Sequence, residues 1–193
     1  MSSSPHRISV KLYFADGVII EPARIVPLFH EWIRSKSVEG LLIDVADYRH
    51  AREGPAAVLI GHDVDYAVDF SEGRPGLLVS RKRPTEKGLS EDIEQGLRRA
   101  LLAARALQRK ADPHPPVRFR TDELRVQVID RLRFPNNAPS VEAVRAALEP
   151  VLVKLFEGSE LTIESAATDS RAPVTLRVRA CAAADLDSLI ERL

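Results

Sequence analysis

"LIGHDVDYAVDF", residues 59–70, sets one histidine and three aspartates around a glycine, and the fold turns on whether the backbone runs straight through Gly61. Val58, Ile60, His62, Val64, Tyr66, Val68 and Phe70 recur at period two, the spacing that sends alternate side chains to opposite faces of a strand. Because the alternation continues on both sides of the glycine, the segment predicts one long strand with Asp63, Asp65 and Asp69 on the face opposite His62. The aspartates would then form a solvated row, reaching Lys82 across a hairpin that "SEGRPG" (71–76) closes before "LLVSRKR" (77–83). A bulge or turn at Gly61 is the competing reading. It would break the alternation and let His62 and Asp63 share a cleft.

Upstream, "ISVKLYF" (8–14) reads as a first strand, and "EPARIVPLFHEWIRS" (21–35) places Ile25, Phe29, Trp32 and Ile33 on one helical face. Pro27 within that run predicts a late start or a kink, since an internal proline loses a hydrogen bond and clashes with the preceding turn. Gly40 marks the helix end, and "LLIDVA" (41–46) is the short apolar run of a central strand. Downstream, Ser90 opens a helix whose stripe of Ile93, Leu97, Leu101, Ala104 and Leu107 runs to Lys110. "VRFRTDELRVQVID" (117–130) predicts two strands about a turn at Thr121 and Asp122. A helix over 140–156 carries Pro150, "ELTIES" and "PVTLRVRA" are strands, and Leu186, Leu189, Ile190 and Leu193 close the chain with a short helix.

The domain plan follows from these elements: a frayed tail over 1–7, a first α/β half over 8–111, a proline-rich linker over 112–116 and a second half over 117–193. Glu39-Gly40 and Glu157-Gly158 each end a helix, and Pro55 and Pro173 each open a strand 15 residues after the respective glycine. Such self-similarity predicts two related strand-helix-strand-strand halves, each followed by a helix. The expected fold class is therefore α+β, a two-layer sandwich of mostly antiparallel sheet with helices on one face, which resembles the ferredoxin-like superfold in element order. That resemblance concerns topology and carries no function.

Composition narrows the function classes. The 193 residues are 45% hydrophobic and 29% charged, a globular balance. Lys plus Arg equals Asp plus Glu at 28 each, so no global field draws the chain to nucleic acid or an anionic membrane. "MSSSPHR" lacks the apolar stretch of a signal peptide and no apolar run is of spanning length, so the expected setting is cytoplasmic, with no membrane partner. Cys181, the sole cysteine, excludes an internal disulfide and a cysteine-rich zinc site.

Three readings of function remain. The first is a non-enzymatic binding or assembly module that engages a protein partner, or a second copy of itself, through a sheet edge or the hairpin 64–83. It requires no cofactor. The second is a metal-dependent or acid-base enzyme using Asp44, Asp47 and His50, or His62 and Asp63, the last two also serving as metal ligands. Asp44 interrupts an apolar strand and must offset its desolvation, and the second half has Thr162, Ser165, Thr168 and Ala180 where the first has Asp44, Asp47, His50 and His62. Strand geometry keeps those five from forming one cluster, and no named catalytic motif is present. The third is an anion or nucleic-acid site on Arg81, Lys82, Arg83, Arg98, Arg105 and Arg109, a basic stripe diluted by Glu86, Glu91, Asp92 and Glu94.

Overall fold

The structure, a computed structural model, describes residues 4–50, 54–110 and 117–193. The expected linker at 112–116 lies outside the described residues. In chain order the elements are β1 (Ile8–Phe14), α1 (Pro22–Ser35), β2 (Leu42–Asp47), β3 (Pro55–Gly61), β4 (Val64–Asp69), β5 (Gly76–Arg81), α2 (Leu89–Lys110), β6 (Phe119–Val128), α3 (Ala138–Leu155), β7 (Leu161–Ser165), β8 (Val174–Ala180) and α4 (Leu186–Glu191). The fold is α+β: among the described residues, four α-helices and one antiparallel sheet of eight strands in the order β2-β3-β4-β5-β1-β6-β8-β7. β1 pairs with both β5 and β6, so residues on either side of the expected linker share a single sheet.

Gly61 does not continue a long strand. It ends β3, and β4 returns antiparallel with Leu59 opposite Tyr66, which puts His62 and Asp63 at a hairpin tip. A Cβ on Gly61 would lie 2.2 Å from the Val64 carbonyl oxygen and 3.3 Å from that of Leu41, so the turn closes only around a glycine. Asp65 helps to close it, its carboxylate accepting the Gly61 N–H at 3.2 Å. The turn also reverses the phase of the alternation. By register, Leu59 shares a face with Tyr66, and Val58 shares the other with Ala67 and hence with Asp65 and Asp69. "AAVLI" is apolar at every position, so nothing in β3 itself marks which residues face inward.

Three further expectations are corrected. Residues 117–130 hold one strand, not two: Leu12 faces Leu124 and Phe14 faces Phe119, so β6 takes five residues where β1 takes two, and the turn-forming Thr121 and Asp122 sit in that bulge. α1 begins at Pro22, with Pro27 inside it, and ends at Ser35 on Lys36, which adopts the left-handed conformation at φ 49°. β2 is an edge strand, not a central one, while β4 and β5, the hairpin 64–83, lie within the sheet. Of the tail, Ser4 is buried and hydrogen-bonds the Asp92 carboxylate, and the His6 N–H bonds Asp130 at 2.9 Å.

The two faces of β1 are both buried and chemically opposite. Ile8, Val10, Leu12 and Phe14 join the main apolar cluster with Ile25, Phe29 and Trp32 of α1, Leu97, Leu101 and Ala104 of α2, and Leu148 and Leu152 of α3. Full burial of such a side chain contributes about 1.5–3 kcal/mol. Ser9, Lys11 and Tyr13 point the other way and are buried as deeply. Around Lys11, which is 0% exposed, that face becomes a lattice of ion pairs. Lys11 reaches Asp69 at 2.6 Å, Arg125 reaches Glu72 at 2.6 Å, and Arg74 holds Glu123 through two bonds of 2.7 Å. Arg177 and Arg179 both lie 3.6 Å from Glu123.

Candidate functional site

The residues singled out from sequence fall in separate places. Asp44 is exposed at the sheet edge, not buried, and its carboxylate accepts the N–H of its neighbour Val45 at 2.8 Å. Asp47 ends the same strand and pairs with Arg49 at 2.6 Å. Hydrogen bonds from the Arg49 side chain and backbone pull its carboxyl down to about 2. His50 is exposed, its ring 6.3 Å from that of Tyr48. His62 and Asp63 come within 3.7 Å of each other, but both are about half exposed and Asp63 is held by Arg83 at 3.2 Å. Among the described residues, no group of three or more His, Cys, Asp or Glu is placed to hold a metal ion.

The basic stripe divides. Arg81 faces inward, buried against Asp92 at 3.2 Å, and burial lowers its pKa. Lys82 pairs with Asp65 at 2.8 Å, the cross-strand contact expected of the aspartate row. Arg98 is exposed. Arg105 and Arg109 lie farther along α2 and share Asp187 of α4 at 3.1 and 3.5 Å.

Three exposed large apolar residues lie on or beside the edge strand β2. Leu41 is 68% exposed, Ile43 59% and Tyr48 42%. The Tyr48 N–H bonds the Ala56 carbonyl at 2.8 Å and Ala46 faces Val58. In an antiparallel ladder bonded and non-bonded positions alternate, so Val45 and Asp47 turn their N–H and C=O groups away from β3. Asp44 covers one of these outward donors by accepting from Val45. β7, at the other edge, differs: Leu161 and Ile163 pack against the core, leaving Thr162, Glu164 and Ser165 outward.

Sequence reasoning missed the buried ion lattice. The signal was present as charge at every second position of the strands, Lys11 in "SVKLY", Glu123 and Arg125 in "ELRVQ", and Arg177 and Arg179 in "LRVRA". Burial disfavours the Asp69 carboxylate, yet hydrogen bonds from Lys11 and Ser71 outweigh it and hold its pKa below the usual value. Lys11 goes down as well, because desolvation exceeds the help from Asp69. Lys11 at its centre is wholly enclosed, and the lattice ties β1, β4, β6 and β8 together.

No helix among the described residues is long and apolar enough to cross a membrane. No family model, no curated protein and no solved structure matches the chain.

Proposed function

We propose that this chain is a non-catalytic binding module that takes up an extended segment of a partner protein along the β2 edge. The observation that carries the reading is the coincidence, on one edge strand, of outward backbone groups at Val45 and Asp47 with an exposed Ile43, flanked by the exposed Leu41 and Tyr48. Main-chain bonds supply affinity in strand addition, and apolar side chains flanking the edge supply specificity. The occupant carries a basic residue opposite Asp44. Its cation draws the carboxylate off the Val45 N–H, and its carbonyl takes that donor instead. Uncovered edges promote indiscriminate pairing, and a charged side chain is one of the ways proteins suppress it; Asp44 both guards the edge and selects what passes.

We further read the scaffold as a two-layer sandwich made by duplication, β1-α1-β2-β3 corresponding to β6-α3-β7-β8, with the β4–β5 hairpin inserted in the first copy. The element order supports this.

The test uses a synthetic peptide alternating valine with lysine, with amide hydrogen exchange as the readout. Protection should appear at Val45 and Asp47, and Val45→Pro should abolish it at Asp47. Proline at an outward position of an edge strand removes no ladder bond, so the fold survives. Protection at β7 instead, or none at β2, contradicts the proposal, as does a free chain already dimeric through β2.

A further inference from the structure

Between the end of α1 and the outer face of α2 lies a cleft of about 460 Å³, lined by residues 36–39, Tyr66 and one side of α2. Its volume is within the roughly 300–1,000 Å³ typical of small-molecule sites. We infer that this cleft binds a free small molecule in which a phosphate or carboxylate is joined to an apolar body. The inference is independent of strand addition at β2.

The wall is cationic. Lys36, Arg99, Arg105 and Arg109 all line the cleft. Among the described residues two carboxylates stand against these four, Glu39, which Arg99 reaches at 3.3 Å, and Asp187, which Arg105 and Arg109 share. The chain as a whole is neutral, so this surplus is local and concentrated at a concavity, where the field on an approaching anion is strongest. Guanidinium groups suit such a ligand because their planar N–H forks match the oxygens of carboxylate and phosphate.

The floor is apolar. Leu102, Ala103 and Ala106 supply it from α2, and small residues at two of those three positions leave the depth. Tyr66 completes it without competing for the anion: its hydroxyl donates to the Glu39 carbonyl at 2.8 Å, and its ring is fixed edge-on to Trp32 at 6.2 Å. At the α1 terminus the Trp32 carbonyl accepts the N–H groups of both Lys36 and Ser37. A bare ion would leave the floor unused, and a neutral apolar molecule would make no use of the cationic wall. A flat bilayer surface would not fill a concavity.

Isothermal titration with naphthyl phosphate tests this, with naphthol, inorganic phosphate and phosphatidylglycerol vesicles as the other arms. Naphthyl phosphate should bind more tightly than either fragment, with affinity falling as salt screens the cations. Arg99→Gln with Arg105→Gln should weaken it by about tenfold or more, the loss expected for hydrogen bonds to a charged group. Arg98→Gln, one position from Arg99 yet outside the cleft, should weaken binding far less than the double variant. Should the double variant fail to fold, Lys36→Gly serves, because glycine accepts the left-handed backbone there; it should also weaken binding. Equal affinity for naphthol, equal affinity in the Arg99/Arg105 or Lys36 variant, or binding to vesicles alone would overturn the inference.

Discussion

Asp69 and Asp44 lie on the same face of the same sheet, and their positions in it give them opposite fates. Asp69, in the interior strand β4, is buried and held by Lys11 at 2.6 Å and by the Ser71 hydroxyl. Asp44, in the edge strand β2, is exposed and, among the described residues, held only by the amide next to it. The interior carboxylate has no freedom to meet a ligand, because moving it would strand a buried charge. The edge carboxylate can move at little cost. The proposed partner site therefore lies where the sheet stops, not in the ionic lattice at its centre.

The contrast breaks most visibly at Lys11. Replacing it with methionine keeps the volume but takes the nearest cation from the buried Asp69, leaving it the Ser71 hydroxyl and the Arg125 guanidinium at 4.0 Å, and removing one partner of a buried pair costs about 3–5 kcal/mol. Chemical denaturation of Lys11→Met should show a loss of that order, and Lys11→Met with Asp69→Leu should recover most of it. A single variant as stable as the wild type would mean that Asp69 is solvated after all.

A smaller effect sharpens the same point through pH. Hydrogen bonds from Arg74, opposed by burial, hold the Glu123 pKa below its usual value. A depressed folded value adds stability above the ordinary carboxylate range, about 4, and that stability is lost as pH falls through the folded value. Thermal unfolding across acid pH should therefore show a limb that Glu123→Gln flattens, with the variant less stable near neutrality. An unchanged limb would remove Glu123 from the lattice.

How far these features were legible depends on whether a local pattern had a unique structural meaning. The stripes Ile25, Phe29, Trp32 and Ile93, Leu97, Leu101 could only be helix faces, and the buried residues of α1 and the core residues of α2 match them. The Gly61 turn has no unique signature in the sequence, because the fully apolar β3 conceals the change of phase. Only the 2.2 Å approach of the Val64 oxygen reveals why a glycine is required. "LLIDVA" resembled a central strand because its apolar residues are as dense as those of a covered one. Strand order is a long-range property, and the exposed Leu41 and Ile43 read from sequence as core. The ion lattice was hidden for the converse reason, since charge at alternate positions ordinarily marks a solvated face. Asp65 with Lys82 was anticipated across the hairpin and is present at 2.8 Å.

The smallest change in stability bears on the central claim. Asp44→Ala touches an exposed side chain, so folding stability should stay within about 0.5 kcal/mol, while the edge loses its guard. Sedimentation velocity over a range of concentrations should find the wild type monomeric and Asp44→Ala self-associating, with the association abolished by adding Val45→Pro. Wild type and Asp44→Ala sedimenting alike, or association that persists with proline at position 45, would show that β2 is not the edge at which this protein binds.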